Sequence, residues 1–191
     1  ERYEGHPALL RWQVENEPFF PFGECPKREK GFYNGEVALV RTLDPNHDTQ
    51  VTTSGEQSLW VLYADGADVV GSSLYRTVYV PVLGYFTFPI PSFVYTFQAQ
   101  LVELFGKRVV ISELQMEPWL PPNNDELSID ERAVLFTPEN MQRNARYAEK
   151  TRISEVYVWG IEWWYYLHLN QHSDLWNAGK DLFITEGYEN I

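Results

Sequence analysis

Five short apolar runs, each followed by a segment with helical periodicity, constrain the fold of this chain more than any other feature of its sequence. The predicted strands are residues 10–14, 50–53, 68–76, 108–114 and 156–160, and the predicted helices are residues 36–43, 58–64, 92–106, 138–152 and 174–183. Strands that alternate with helices in this way form a parallel sheet with crossover helices. The chain is therefore predicted to be an α/β protein.

Local signals refine these boundaries. Asn34-Gly35 predicts a turn before the first helix, and Thr137 followed by Pro138 predicts the start of a later one. Residues 79–91, rich in aromatic residues and proline, are predicted to form a long loop. The helix over residues 92–106 is expected to bury one apolar face, made of Phe93, Phe97, Leu101, Leu104 and Phe105.

Size and composition limit the class of protein. The chain has 191 residues, and we treat 1–191 as a single domain. A complete (β/α)8 barrel typically needs about 250 residues, so this chain is short for one. Its net charge of −12 argues against nucleic acid or an anionic membrane as a partner. The most apolar stretch, residues 156–169, contains Glu162, and no membrane span is predicted.

Residues suited to holding cofactors or metals are scattered. The single cysteine, Cys25, excludes an intrachain disulfide and is interpreted as a small side chain on a loop. The four histidines lack the spacing of metal ligands, and no glycine-rich phosphate-binding loop is present. The sequence therefore predicts neither a cofactor nor a metal. The amino terminus lacks an initiator methionine and a signal-peptide pattern, which suggests that the sequence begins within a longer chain and does not indicate a compartment. The net charge is typical of a soluble protein, either cytoplasmic or secreted.

Two glutamates follow predicted strands in equivalent positions. Leu10, Trp12 and Val14 alternate with polar residues, and the strand then ends at Asn16-Glu17-Pro18. Pro18 stops the strand and is expected to hold Glu17 in an extended conformation. Glu113 lies at the end of the predicted strand 108–114. Parallel strands of a barrel carry their catalytic groups at the carboxyl ends, so the two carboxylates are predicted to face each other.

A pair of this kind suits a retaining glycosidase. In such enzymes one carboxylic acid protonates the leaving oxygen, and the other carboxylate attacks the anomeric carbon from about 5–5.5 Å away. Strand ends in any α/β protein collect polar residues, however, so spacing alone does not establish the chemistry.

The residues at four strand ends strengthen this hypothesis. Residues 12–18, Trp-Gln-Val-Glu-Asn-Glu-Pro, closely resemble the fourth-strand segment of clan A glycoside hydrolases. Ile111-Ser112-Glu113-Leu114 resembles their seventh-strand nucleophile segment, and Tyr75 and Trp159 resemble their sixth-strand tyrosine and eighth-strand tryptophan. The cellulase-like members of family 5 are the nearest relatives that these motifs suggest. The resemblance implies a TIM (β/α)8 barrel of which this chain supplies only the C-terminal portion, about five β/α units.

The resemblance also implies roles for individual residues. Glu17 would be the acid/base and Glu113 the nucleophile, and Asn16 would bind the sugar 2-hydroxyl. Tyr75 would orient Glu113, and Trp159 would stack on the sugar. Glu56 and Glu162 are further candidates either for binding substrate hydroxyls or for supporting neighbouring networks.

Two positions depart from the family pattern. Ser73 stands where the family often has histidine, two residues before the tyrosine. Glu117, also followed by proline, competes with Glu113 as the nucleophile. We favour Glu113 because Glu117 lies beyond the strand end, where the catalytic residues of barrels are usually anchored.

The first three strands of the implied barrel are absent from this sequence. They would come from a longer chain or from another subunit, and five strands alone are expected to expose two edges and an apolar inner layer. The leading hypothesis is a retaining glycoside hydrolase acting on an oligo- or polysaccharide of the β-glucan, β-mannan or β-galactoside type. The alternatives are a non-catalytic carbohydrate-binding or structural barrel fragment and an α/β enzyme that uses a metal for hydrolysis.

Overall fold

The computed structural model describes residues 2–21 and 29–185, so Cys25 lies outside the described residues. The strands are β1 Arg11–Gln13, β2 Asp48–Thr53, β3 Val69–Leu74, β4 Thr77–Val80, β5 Gly84–Thr87, β6 Arg108–Gln115 and β7 Val156–Trp159. The α-helices are α1 Lys30–Leu43, α2 Ser92–Glu103, α3 Ile129–Ala133, α4 Pro138–Thr151, α5 Ile161–Leu169 and α6 Asp174–Thr185. Two 3-10 turns, Trp60–Tyr63 and Asn124–Glu126, complete the described elements.

Five strands form one parallel sheet in the order β1-β2-β3-β6-β7. The order follows the chain and never reverses, as it would at the switch point of a doubly wound sheet. Helical connections separate successive strands, and a small antiparallel hairpin, β4–β5, is inserted after β3. The chain is therefore an α/β protein whose five parallel strands form part of a barrel, as predicted.

The hydrophobic core lies between the convex face of this sheet and the helices. Val51, Val70 and Ile111 contribute buried side chains from three neighbouring strands. Trp60 and Trp164 are also fully buried there. Burying side chains of this size stabilises the fold by roughly 2–3 kcal/mol each. This packing fixes the strands whose carboxyl ends carry the candidate site.

The concave face of the sheet is mixed: buried Val69 and Val110 lie at its centre, and polar side chains lie toward its two edges. The Arg11 guanidinium on β1 pairs with the Glu155 carboxylate, which precedes β7, and lies 3.4 Å from the Tyr157 hydroxyl on β7. Side chains from the two edge strands of a curled sheet can meet only on its concave side. Gln50 on β2 binds both Arg11 and Gln13 by hydrogen bonds, so the polar layer extends inward from that edge.

The first helix begins six residues earlier than predicted, and the predicted Asn34-Gly35 turn lies inside it. Tyr33 and Val37 are one helical turn apart and both are buried against the core. Their burial outweighs the roughly 1 kcal/mol cost of a glycine within a helix. The predicted end was correct, because α1 stops at Leu43 immediately before Asp44-Pro45.

The buried face of α2 differs from the predicted one. Tyr95, Ala99 and Val102 are buried, whereas Phe93 and Phe97 are 67% and 58% exposed. Leu104 and Phe105 are also exposed, beyond the end of the helix. The helix is apolar on more than one side, so its periodicity did not identify the side that packs against the core. The contacts of Tyr95 with Glu56 and Trp60 determine which side of α2 is buried.

The β4–β5 hairpin, α3 and α5 were not predicted. The loop over residues 79–91 contains most of the β4–β5 hairpin, and α5 follows β7 almost directly. Conversely, α4 begins as its signals predicted: Thr137 and Asn140 form a capping box and Pro138 occupies the first turn. Among the described residues, no helix is long and apolar enough to cross a membrane.

Candidate active site

A cleft of about 330 Å³ opens at the carboxyl ends of β1, β2, β3 and β6. Three carboxylates line it, from Glu17, Glu56 and Glu113. The rest of the lining combines aromatic, hydroxyl, amide and aliphatic side chains: Phe20, Ser54, Gln57, Ser73, Tyr75, Val78, Tyr79, Phe88 and Trp119. Acidic groups set among flat aromatic faces are well suited to binding a neutral polyhydroxylated ligand.

Glu17 is held by hydroxyl groups from β2 and β3, the next two strands of the sheet. Its backbone N–H donates to Thr52 Oγ1 at 2.8 Å, and Ser73 Oγ donates to its Oε1 at 2.9 Å. Thr52 belongs to β2 and Ser73 to β3, so both contacts depend on the parallel register of the sheet. The carboxylate is thereby directed toward the cleft.

The backbone at Glu17 is not extended, contrary to the prediction from Pro18. Its φ angle is 43°, and that of Glu15 is 65°, in the left-handed region that side chains with a Cβ atom rarely occupy. Such a conformation costs on the order of 1–3 kcal/mol and persists only where the surroundings enforce it. The hydrogen bond from the Glu17 N–H to Thr52 supplies such a constraint.

A bulge in β6 positions Glu113. The pairing register between β3 and β6 shifts so that Ser72 lies opposite Ile111 but Ser73 lies opposite Glu113. Ser112 is the extra residue, and bulges of this kind re-aim the side chain that follows. Gly71 leaves room for the bulge, since a Cβ atom added there would lie 2.9 Å from the Cβ of Ser112.

A tyrosine hydroxyl anchors the Glu113 carboxylate. Tyr75 donates a hydrogen bond of 3.0 Å to Glu113 Oε2. The Tyr75 ring meets Trp119 edge to face, with 5.6 Å between ring centroids. The contact with Trp119 restricts the orientation of the Tyr75 ring, and the hydrogen bond from Tyr75 restricts the orientation of the Glu113 carboxylate.

The two carboxyl groups influence each other electrostatically. Burial raises the pKa of Glu17, the hydrogen bond from Ser73 opposes that rise, and the charge of Glu113 raises it further. Burial also raises the pKa of Glu113, and the hydrogen bond from Tyr75 opposes the rise. Because two nearby negative charges repel each other, the pair disfavours simultaneous ionisation of Glu17 and Glu113.

Glu56 is a third carboxyl group in the cleft with a distinct environment. Tyr95 on α2 donates a hydrogen bond of 2.6 Å to Glu56 Oε1. Burial raises the pKa of Glu56 to about 7, although the hydrogen bond from Tyr95 and the charge of Arg76 lower it. The Tyr95 ring packs edge-on against Trp60 at 5.5 Å. These contacts explain why Tyr95, rather than Phe93 or Phe97, is buried.

Three predicted substrate-binding residues lie outside the lining of this cleft. Asn16 is exposed and its Oδ1 accepts a hydrogen bond from Thr52 at 2.9 Å. Trp159 is also exposed, and its Nε1 donates to Glu117 Oε1 at 2.9 Å. Glu162 lies in the first turn of α5. The structure thus brings together Glu17, Glu113, Tyr75 and Glu56 from the predicted set.

The competing glutamate, Glu117, belongs to the group around Trp159. Burial raises its pKa, the hydrogen bond from Trp159 opposes the rise, and the charge of Glu162 adds to it. Gly160 lies against Glu117, because a Cβ atom added there would be 2.7 Å from the Glu117 Cβ. Glu117 is absent from the lining of the cleft that contains Glu17 and Glu113.

Several residues of the site were missed by sequence reasoning. Ser73 was noted only as a departure from a family pattern, yet it binds Glu17 directly. Trp119, for which the sequence predicts no role at the site, lines the cleft beside Tyr75. Phe20, Tyr79 and Phe88 lie in segments without a recognisable motif. Only Ser73 carried a usable signal, its place at a strand end two residues before Tyr75.

Within the described part of the chain, no group of three or more histidine, cysteine, aspartate or glutamate side chains is arranged to hold a metal ion. His47 pairs instead with Asp44 at 2.8 Å, and His172 pairs with Asp130 at 2.9 Å.

Comparison with known proteins gives distant structural similarities. No protein-family model and no curated protein matches the chain. An FMN-binding beta-glucuronidase from Facaelibacterium prausnitzii L2-6 is similar at 18% identity and a TM-score of 0.47, over 81% of this chain and 23% of its own. A GH10 endoxylanase from a sugarcane soil metagenome is similar at 15% identity and a TM-score of 0.45, over 82% of this chain and 51% of its own.

The chain therefore spans about half or less of the length of these structures. Similarity at this level concerns the arrangement of strands and helices, and we base no functional argument on it.

Proposed function

We propose that this chain is the part of a retaining glycoside hydrolase that carries both catalytic carboxylates, with Glu17 as acid/base and Glu113 as nucleophile. The observation that carries the proposal is that the two groups line one cleft, with the Tyr75 hydroxyl bound to Glu113. The substrate class is a β-linked oligo- or polysaccharide, which the aromatic and acidic lining would bind without an ionic partner.

The proposed reaction has two displacements. Glu113 attacks the anomeric carbon while Glu17 gives its proton to the leaving oxygen, and a covalent glycosyl-enzyme forms. Glu17 then removes a proton from water, which displaces Glu113 and releases the sugar. The first step needs a charged Glu113 and a protonated Glu17, and burial together with mutual repulsion favours a pair that carries one proton.

The aromatic and polar lining supports the proposed substrate contacts. Tyr75 would hold Glu113 in its attacking orientation, and Glu56 would bind a sugar hydroxyl. Asn16, Trp159 and Glu162 do not line the cleft and would contribute only at its margin or to a neighbouring subsite. Glu117 is the weaker candidate for nucleophile, because its Oε1 accepts a hydrogen bond from exposed Trp159 and it does not line the cleft.

The test is hydrolysis of aryl β-glycosides by the longest expressed form of the protein and by its Glu17→Gln, Glu113→Gln and Glu117→Gln variants. We expect losses of at least about 100-fold in the first two variants, since general acid catalysis alone contributes about that factor. Glu117→Gln is the matched control and should lose much less activity.

Three results would contradict this proposal. Activity that survives in both Glu17→Gln and Glu113→Gln would remove the catalytic pair. Loss with Glu117→Gln but not with Glu113→Gln would transfer the nucleophile role. Saturable oligosaccharide binding in calorimetry, without turnover on any substrate, would identify the non-catalytic carbohydrate-binding alternative.

A further inference from the structure

The β4–β5 hairpin presents an aliphatic tip to solvent. Thr77–Val80 pairs with Gly84–Thr87, and the Leu83 N–H closes the turn by donating to the Val80 carbonyl at 3.0 Å. Val82 and Leu83 at the tip are 91% and 72% exposed. The two neighbouring side chains therefore form an aliphatic tip that lies in solvent.

The hairpin and the segment that follows it in the sequence carry no charge. Residues 77–102 contain no acidic or basic side chain, although charged residues make up 22% of the chain. Behind the tip, Tyr79 and Tyr85 face each other across the hairpin, with ring centroids 5.4 Å apart. An aliphatic tip with tyrosines behind it matches the order of groups at a membrane surface, where tyrosine prefers the headgroup level.

We propose that the β4–β5 hairpin docks this protein onto an uncharged or zwitterionic lipid surface, with Val82 and Leu83 entering the bilayer interface. A net charge of −12 would be repelled by anionic lipid, whereas the uncharged segment meets no such penalty at a zwitterionic one. The docking is peripheral and is a different function from the proposed glycosidase activity, although Tyr79 at the base of the hairpin also lines the candidate cleft.

Other occupants fit the tip less well. A polypeptide that completed the barrel would pair with the edge strands β1 and β7. The hairpin follows β3, the central strand, so that pairing would not involve it. A stable protein partner typically buries about 800 Å² on each side, more than a two-residue convex tip offers. A polysaccharide would stack on flat aromatic rings rather than on valine and leucine.

The test is flotation of the full chain with phosphatidylcholine vesicles. The wild type should float with the vesicles, and replacing part of the lipid with phosphatidylserine should weaken its binding. The double variant Val82→Asp/Leu83→Asp should bind at least about tenfold more weakly, because each substitution removes a buried aliphatic side chain. Val82→Ser/Leu83→Ser, which adds no charge, should also bind more weakly.

A matched control places two aspartates at exposed leucines elsewhere. Leu39 in α1 and Leu62 in the first 3-10 turn are exposed, so Leu39→Asp/Leu62→Asp makes the same chemical change away from the hairpin. This control should float like the wild type. Circular dichroism should give the same spectrum for all variants.

Absence of wild-type flotation would overturn the proposal, as would flotation unaffected by both hairpin variants. A dimer in solution that the hairpin variants abolish would identify a protein interface instead. Binding of a soluble polysaccharide lost in the same variants would identify a sugar-binding surface.

Discussion

Glu17 and Glu113 share a cleft, but their hydrogen-bond donors come from different sources. The buried hydroxyl of Ser73 on β3 donates to Glu17, whereas the hydroxyl of Tyr75, in the loop after β3, donates to Glu113. Both donors favour the charged carboxylate, and burial opposes both. Single-residue changes therefore move the pKa of one carboxyl group in a known direction.

Replacing Tyr75 with phenylalanine should raise the pKa of Glu113 by about one unit, because a hydrogen bond to a charged group is worth about 1.5 kcal/mol or more. Under the proposed mechanism Glu113 must be charged, so the acid limb of the kcat/KM profile should move to higher pH. Tyr79→Phe removes another hydroxyl from the cleft wall and should leave that limb unchanged. An unmoved limb in Tyr75→Phe would contradict the role given to this hydrogen bond.

Glu56 should make stability depend on pH. Its pKa of about 7 in the folded state exceeds the ordinary value of 4.5, so its stabilising contribution is complete below about pH 4.5. That contribution, at most about 3 kcal/mol, is lost as the pH rises through 7. Glu56→Gln should therefore reduce the decline in the free energy of unfolding between pH 5 and 8, measured with urea. Glu103→Gln, on the exposed side of α2, should retain the wild-type decline.

At the scale of elements, the sequence identified helices whose ends carry local signals. Thr137-Pro138 marked the start of α4 and Asp44-Pro45 the end of α1, because capping and chain termination depend on neighbouring residues. The buried face of α2 could not be found in this way. It depends on Tyr95 meeting Glu56 and Trp60, which lie more than thirty positions away in the chain.

The same distinction applies to the candidate site. Glu17 and Glu113 could be predicted as site residues because both lie at the carboxyl ends of strands, where parallel barrels place catalytic groups. The contact between Ser73 and Glu17 could not, because it depends on the register across three strands. The bulge at Ser112, which re-aims Glu113, leaves no recognisable pattern in the sequence.

The capping box of α4 permits a prediction at this scale. Thr137→Ala should lower the free energy of unfolding by about 1 kcal/mol, since Thr137 Oγ1 accepts from the Asn140 N–H at the start of a 14-residue helix. Ser128→Ala removes an equivalent cap from α3, a five-residue helix without buried residues, and should cost less. Equal losses in urea denaturation would mean that the packing of α4 does not depend on its cap.

At the scale of the molecule, polar side chains on the concave face link β1 to β7 and to the residue before it. The Arg11 side chain is only 7% exposed where it pairs with Glu155, whereas Arg108, which pairs with Asp48, is 58% exposed. Removing one partner of a buried pair leaves the other charge uncompensated, while an exposed pair contributes little. The curled sheet therefore depends on Arg11 more than on Arg108.

Arg11→Met should lower the free energy of unfolding by about 2–3 kcal/mol, less than for a fully buried pair because Glu155 retains some solvent access. Arg108→Met is the matched control and should change it by less than about 1 kcal/mol. Chemical denaturation of both variants gives the comparison. If the two substitutions had equal effects, the contact between the sheet edges would not stabilise the fold.

The proposed roles of Glu17 as acid/base and Glu113 as nucleophile are tested most directly by trapping the covalent intermediate. The protein, in its longest expressed form, is incubated with activated 2-deoxy-2-fluoro β-glycosides, digested and analysed by mass spectrometry. The adduct should lie on Glu113 and should be absent from the Glu113→Gln variant. An adduct on Glu117, or turnover of the parent glycoside with no adduct on any residue, would contradict the assignment.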